Sequence, residues 1–176
     1  MRELVITLPE GFDPAIGPWV WELEEERARL KRAVADLTQE QLDHPPAGGN
    51  SIGSLLYHIA AIELSWLYDE VLVAPYPDEL TALFHADVRG EGNQLSQVTG
   101  QPVRQHLHRL DAVREQLLAS YRSMDLADYR CPRSLPDYQV TPEWVLFHLL
   151  RHEAQHLGQI LLLRKGLGLP NRGLSI

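Results

Sequence analysis

Apolar residues recur at three- and four-residue spacing through four long stretches of the chain, the period of an amphipathic helix. In the first, Pro18 to Leu37, the stripe is Val20, Leu23, Leu30, Val34 and Leu37, and Pro18 suits a helix start. The breaker-rich "DHPPAGGN" ends it. Asn50 or Ser51 can cap the second helix, Ser51 to Val73, which places Leu55, Ile59, Ile62 and Trp66 on one side. The third, Pro102 to Met124, aligns Val103, Leu107, Leu110, Leu117 and Tyr121. Thr141-Pro142-Glu143 opens the fourth, which runs to Lys165 and stops at Gly166 and Gly168.

Four such helices, each about 30 Å long, predict an all-α protein: one domain over residues 1–176, folded as an antiparallel four-helix bundle. Residues Ala74 to Gln101 carry no long periodic segment, although "PDELTALFH" can form two helical turns. A connection of this length is a crossover or a functional loop, and it permits a topology other than simple up-and-down.

Polar residues interrupt the stripes at a few places. Arg27 and Arg114 fall on the stripes of the first and third helices, where the expectation is snorkelling at the edge; if they reach a site, they can hold a substrate carboxylate. His58 lies between Leu55 and Ile62. On the fourth helix Val145, Leu149, His152, His156, Ile160 and Leu163 step by three or four, which predicts both histidines in the core-facing row. If the second and fourth helices are neighbours, three imidazoles converge. Each buried imidazole without partners costs roughly 1 to 3 kcal/mol, whereas one metal ion satisfies all three. Residues i and i+4 have Cβ atoms about 5 to 6 Å apart, so His152 and His156 can share an ion with His58. Three neutral ligands leave an open position, as in a catalytic site. Zinc is the first choice, with nickel, iron and manganese compatible. His148 is ranked as a packing or supporting residue, His85 as a loop residue or a lid over the open position, and His44, His106 and His108 as solvated.

Composition narrows the partners. A chain of 176 residues buries an adequate core without a structural metal, so a metal here is expected to be functional. A net charge of −8 argues against nucleic acid. Cys131 is the only cysteine, so no internal disulfide can form. No apolar run is long enough for a membrane span, and the N-terminal apolar stretch is too short for a signal peptide. A cytoplasmic protein is expected.

The string His152-Glu153-Ala154-Gln155-His156 matches the H-E-x-x-H pattern of zinc peptidases, in which the Glu activates water. Those enzymes take a third ligand C-terminal to the motif, and "LGQILLLRKGLGLPNRGLSI" contains no Asp, Glu or His. Glu153 sits about 100 degrees around the helix from His152, which predicts a partly exposed residue. The peptidase reading is therefore minor.

The segments "NSIGSLLYHIAAIELSWL" and "VLFHLLRHEAQHLGQI" resemble the DinB/YfiT-like family, whose members are regarded as metalloenzymes. His58, His152, His156, Gly158 and Gln159 match its pattern of one histidine on helix two and two on helix four, followed by Gly-Gln. The resemblance implies a bundle with helices two and three parallel, a divalent-metal site and a homodimer. Some relatives transfer groups using mycothiol, bacillithiol or glutathione. Leu157 stands where the family often has another basic or His residue, and nothing between Ala74 and Gln101 matches a thiol-binding motif. The expected function is a metal-dependent enzyme, in first place an S-transferase using a low-molecular-weight thiol. A hydrolase, a non-catalytic metal-binding stress protein and a helical partner-binding module are the alternatives.

Overall fold

Helix α1 covers Gly17–Val34 in the computed structural model, which describes residues 4–90 and 94–170. The ends of the N-terminal stretch and of the "LGLPNRGLSI" tail lie outside the described residues. Pro18 stands in the first turn of α1, where its missing N–H leaves no bond unmade. The carbonyl of Asp13 accepts from the N–H groups of Ile16 and Gly17. The helix ends before the expected Leu37 because Thr38 caps a separate short helix, α2 (Gln39–Asp43), through a reciprocal capping box with Gln41. Leu37 is nonetheless buried.

Ser51 caps α3 (Ile52–Ser65), its Oγ accepting from the Ser54 N–H at 3.1 Å. The helix continues as a π-helical segment, Trp66–Leu72, and stops at Val73 in a left-handed conformation, φ 49°. Of the two turns expected in "PDELTALFH", one forms, as α4 (Asp78–Thr81). Then come α5 (Val103–Arg122), the short α6 (Leu126–Tyr129), an antiparallel pair β1 (Arg133–Ser134) and β2 (Gln139–Val140), and α7 (Pro142–Gly166). The β1–β2 hairpin lies within "DLADYRCPRSLPDYQV", which carries too few residues to show alternation.

Contacts along the helices fix their directions. Trp19 meets Phe147, Arg27 meets Glu153 and Arg164 meets Ala33, so α1 and α7 are parallel. Gly53 meets His106, Tyr57 meets Arg109 and Glu63 meets Arg114, so α3 and α5 are parallel too. The remaining neighbours, α1 with α5 and α3 with α7, are antiparallel, as Lys31–Asp111, Leu23–Arg114, Trp66–Trp144 and His58–His156 show. The long connection is thus a crossover that returns the chain to the starting end of α3. It is tied down from both sides: the Val98 N–H donates to Ser54 Oγ, the Tyr57 hydroxyl to the Ala86 carbonyl, and Arg109 Nε to the Leu83 carbonyl. Gly53 permits this closeness, since a Cβ there would lie 3.3 Å from both His106 Nε2 and the Leu42 carbonyl. Among the described residues no helix is long and apolar enough to cross a membrane.

The apolar core has two main parts. One gathers Val20, Leu23, Leu64, Val113, Leu117 and Leu149; the other gathers Leu30, Leu56, Ala60, Leu110, Leu157 and Ile160. Between them, on all four long helices, sit charged residues.

Candidate metal centre

The antiparallel approach of α3 and α7 brings His58 to His152 and His156. His152 Nε2 lies 3.1 Å from His58 Nε2 and 3.1 Å from His156 Nε2. One ring nitrogen from each of the three falls within 4.8 Å of the others, a set that could hold a metal ion. The expected core-facing row needs correction. Val145, Leu149 and Ile160 are buried as expected, but in the middle of α7 the buried positions are Glu153 and Leu157, whereas His152 and His156 are half-buried on the flank toward α3. A single stripe can point at the bundle axis, and Glu153 occupies the place on it. The shift gives the histidines access to solvent that a core position would deny.

Burial lowers the His58 pKa to about 4, with His156 adding to the effect, and lowers that of His152 to about 3, with His156 and His58 adding to it. His156 is lowered by burial as well, against the opposing hydrogen bond from Gln159. The rings are neutral at pH 7. Gln159 Oε1 accepts from His156 Nδ1 at 2.9 Å, so the lone pair of His156 Nε2 faces the cluster. His152 Nε2 meets two nitrogens and carries at most one proton, so the protein alone cannot satisfy this arrangement. His58 Nδ1 is buried without a protein partner. Neutral nitrogen donors at these separations suit a divalent ion, and Gln159 orients its ring as outer partners of metal-bound histidines do.

Glu153, Arg27 and Arg114 have places other than those expected. Glu153 is 2 % exposed, and the two arginines are equally withdrawn from the surface. Arg27 donates from Nε and Nη2 to Glu153, from Nη2 to Glu63 and from Nη1 to the Leu110 carbonyl. Arg114 donates from Nε and Nη2 to Glu63, from Nη2 to Glu153, and from Nη1 to Glu24 and the Leu23 carbonyl. One charge comes from each long helix, and the two signs balance. Burial alone would raise the Glu63 pKa, but Arg114 and Arg27 hold its carboxyl below the ordinary range. The arginines neither snorkel nor offer a free guanidinium to a substrate, and both Glu153 oxygens accept from arginine. This removes the Glu that the peptidase pattern needs. Glu63 went unnoticed in the sequence, although it is the only charged residue between Ile52 and Leu67, a sign of a buried charge.

His148 stays outside the three-nitrogen set and packs on Trp66 at 4.3 Å between ring centres, and on Trp144 at 5.1 Å. His85 lies within the crossover, near the amide of Gln101 at 3.3 Å. His106 is fully buried and not solvated; its Nδ1 lies 3.4 Å from Arg109 Nη1 in the polar cluster anchoring the crossover. His44 and His108 are exposed, as is Cys131.

Fold and site together define a helical bundle, with its second and third long helices, α3 and α5, parallel, carrying a three-histidine cluster able to hold a metal. The chain belongs to the DinB superfamily, whose sequence profile matches residues 22–160. Three solved structures share the fold. A conserved protein from Enterococcus faecalis is 15 % identical with a TM-score of 0.71, over 85 % of this chain and 95 % of its own. YfiT from Bacillus subtilis, described as "a probable metal-dependent hydrolase with an unusual four-helix bundle topology", is 21 % identical with a TM-score of 0.64, over 96 % and 95 %. A DinB-like protein from Bacillus cereus is 16 % identical with a TM-score of 0.57, over 92 % and 95 %. No curated protein matches the sequence.

Proposed function

We propose that this protein is a metal-dependent enzyme in which His58, His152 and His156 hold a divalent ion, zinc in first place with nickel, iron or manganese as alternatives, and that it transfers groups to or from a low-molecular-weight thiol. The observation that carries the reading is the convergence of three neutral ring nitrogens within 4.8 Å of one another. When bound, an ion with three neutral ligands keeps its full positive charge and lowers the pKa of a thiol, ordinarily about 8.5, so that it is nucleophilic at neutral pH. Gln159 keeps His156 Nε2 turned to the cluster. Burial of all three rings keeps them unprotonated and ready to ligate. Glu153 is committed to Arg27 and Arg114 and cannot take a proton from water as the peptidase Glu does. A thiol of lowered pKa needs no such base.

Hydrolysis at the same cluster is the second reading, favoured by the description of the Bacillus subtilis neighbour. The family resemblance supports a homodimer. The free, exposed Cys131 suits the cytoplasm, and the acidic balance of 24 carboxylates against 16 basic residues favours a small-molecule substrate over nucleic acid. The test begins with the metal content of the purified protein, followed by a screen of metal-loaded protein against electrophiles with mycothiol, bacillithiol or glutathione. One ion per chain, turnover that requires a thiol, and loss of both in His152→Ala are expected. Turnover without any thiol would transfer the assignment to a hydrolase. Metal binding without turnover would make the site a sensor or store, and absence of metal would overturn the whole reading.

A further inference from the structure

From the histidine cluster toward the start of α7 the rings stack in series. His152 faces His148 at 6.0 Å and 23°, and His148 faces Trp144 at 5.1 Å and 11°. Trp66 closes on both His148 and Trp144, at 4.3 and 5.3 Å. Beyond this stack Trp66 and Trp144, with Pro132, Tyr138, Gln139, Val140 and Thr141, line an open cavity of about 330 Å³. It lies about two helical turns, roughly 12 Å, from His152.

The cavity is built from irregular elements that the metal centre does not need. The π-helical segment starts at Trp66, and such segments are frequent where a helix serves a function. It ends at Val73 with φ 49°, a conformation a β-branched residue rarely adopts. Opposite, the β1–β2 hairpin presents Tyr138, and Arg133 Nε pins that hairpin to the Val71 carbonyl at 3.1 Å.

Carboxylates gather behind the Tyr138 wall of the cavity. The Tyr138 hydroxyl donates to Glu70 Oε1 at 2.5 Å, while Glu70 Oε2 is buried without a partner. Asp69 and Asp137 add to the negative field at Tyr138, whose pKa is pushed up to about 12, first by the bond to Glu70. The hairpin's own guanidinium, Arg133, is already committed to Asp128 and to the carbonyls of Val71, Asp128 and Cys131.

The geometry points to a pocket for an organic cation, an alkylated ammonium group lying on the faces of Trp66 and Trp144 with the Glu70 carboxylate behind Tyr138 balancing its charge. Aromatic faces attract cations whose centre comes within about 6 Å of the ring. The tryptophan faces offer a metal ion no ligand atoms, whereas an alkylated ammonium group needs none. A neutral apolar group would gain nothing from the surrounding carboxylates. The pocket does not rest on the metal reading and is tested apart from it.

Isothermal titration calorimetry of the full-length protein with choline, and with its uncharged isostere 3,3-dimethylbutan-1-ol, decides the matter. Choline is expected to bind saturably, and the alcohol at least about tenfold more weakly. Trp144→Leu, at a position 42 % exposed, should fold and abolish choline binding. Glu70→Gln keeps an acceptor for Tyr138 while removing the charge, and should weaken binding several-fold, so the test survives a misfolded tryptophan variant. His152→Ala should bind choline as the parent does, even if it carries no metal. Equal binding of the alcohol, no binding of choline, or full affinity in Trp144→Leu or Glu70→Gln would each overturn the proposal.

Discussion

A polar network in the interior of this bundle and a histidine cluster on the flank of α7 differ in how their atoms are satisfied. In the Arg27–Glu63–Arg114–Glu153 network each carboxylate oxygen accepts from an arginine, and both guanidinium groups also donate to main-chain carbonyls. In the His58–His152–His156 cluster nitrogens of like character face one another at 3.1 Å with too few protons to pair them. The network is complete without any other molecule and ties the four helices together. The cluster is incomplete without one. Glu153 and its neighbour His152 belong to different groups because adjacent helical residues point about 100° apart.

The largest effect expected from breaking this contrast is on the network. Arg114→Met leaves Glu63 and Glu153 short of a partner and should cost about 3 to 5 kcal/mol of unfolding free energy in a urea titration. Glu153→Gln should likewise destabilise the fold yet retain one metal ion per chain, and a loss of metal with unchanged stability would return Glu153 to the site.

Acid should act through the same network. The folded-state pKa of Glu63 is held down by Arg114 and Arg27. Its stabilising contribution is therefore complete above the unfolded value of about 4.3 and is lost as pH falls through the folded value. Glu63→Gln should accordingly destabilise strongly at pH 7 and much less at pH 3, as read from urea midpoints at the two values.

Smaller effects are expected at the cluster. Zinc at about a hundred times its Kd should stabilise the parent by about 2.7 kcal/mol in thermal unfolding. His58→Ala, His152→Ala and His156→Ala should show no such gain while matching the metal-free parent. The least is Gln159→Leu, which frees His156 to rotate and should weaken metal affinity about 10- to 100-fold. Its effect on metal-free stability should stay within about 0.5 kcal/mol. Equal metal affinity in Gln159→Leu would mean that the hydrogen bond to His156 does not orient the ring.

The legible parts of the molecule are those that local pattern encodes. The stripe through Val20, Leu23 and Leu30, the Ser51 and Thr141 caps and the short helix in "PDELTALFH" are readable because each rests on residues within one or two turns. His58, His152 and His156 stand out by their helical spacing, although on α7 the inward stripe passes through Glu153 beside them. What misled was the treatment of charge. Arg27 and Arg114 look like surface cations until Glu63 and Glu153 arrive from other helices, and His106 looks solvated until the crossover covers it. The π-helical turn after Ser65 and the short hairpin leave no periodic signal.

By itself the sequence determined four amphipathic helices, a long second connection and three histidines able to meet, because period and capping are properties of neighbouring residues. The tertiary structure alone decided which row of α7 faces the axis, and so sent Glu153 inward and the histidines to the flank. It also decided that four buried charges would neutralise one another. Both depend on which helices become neighbours and in which direction they run, and that is settled by packing over long separations in the chain.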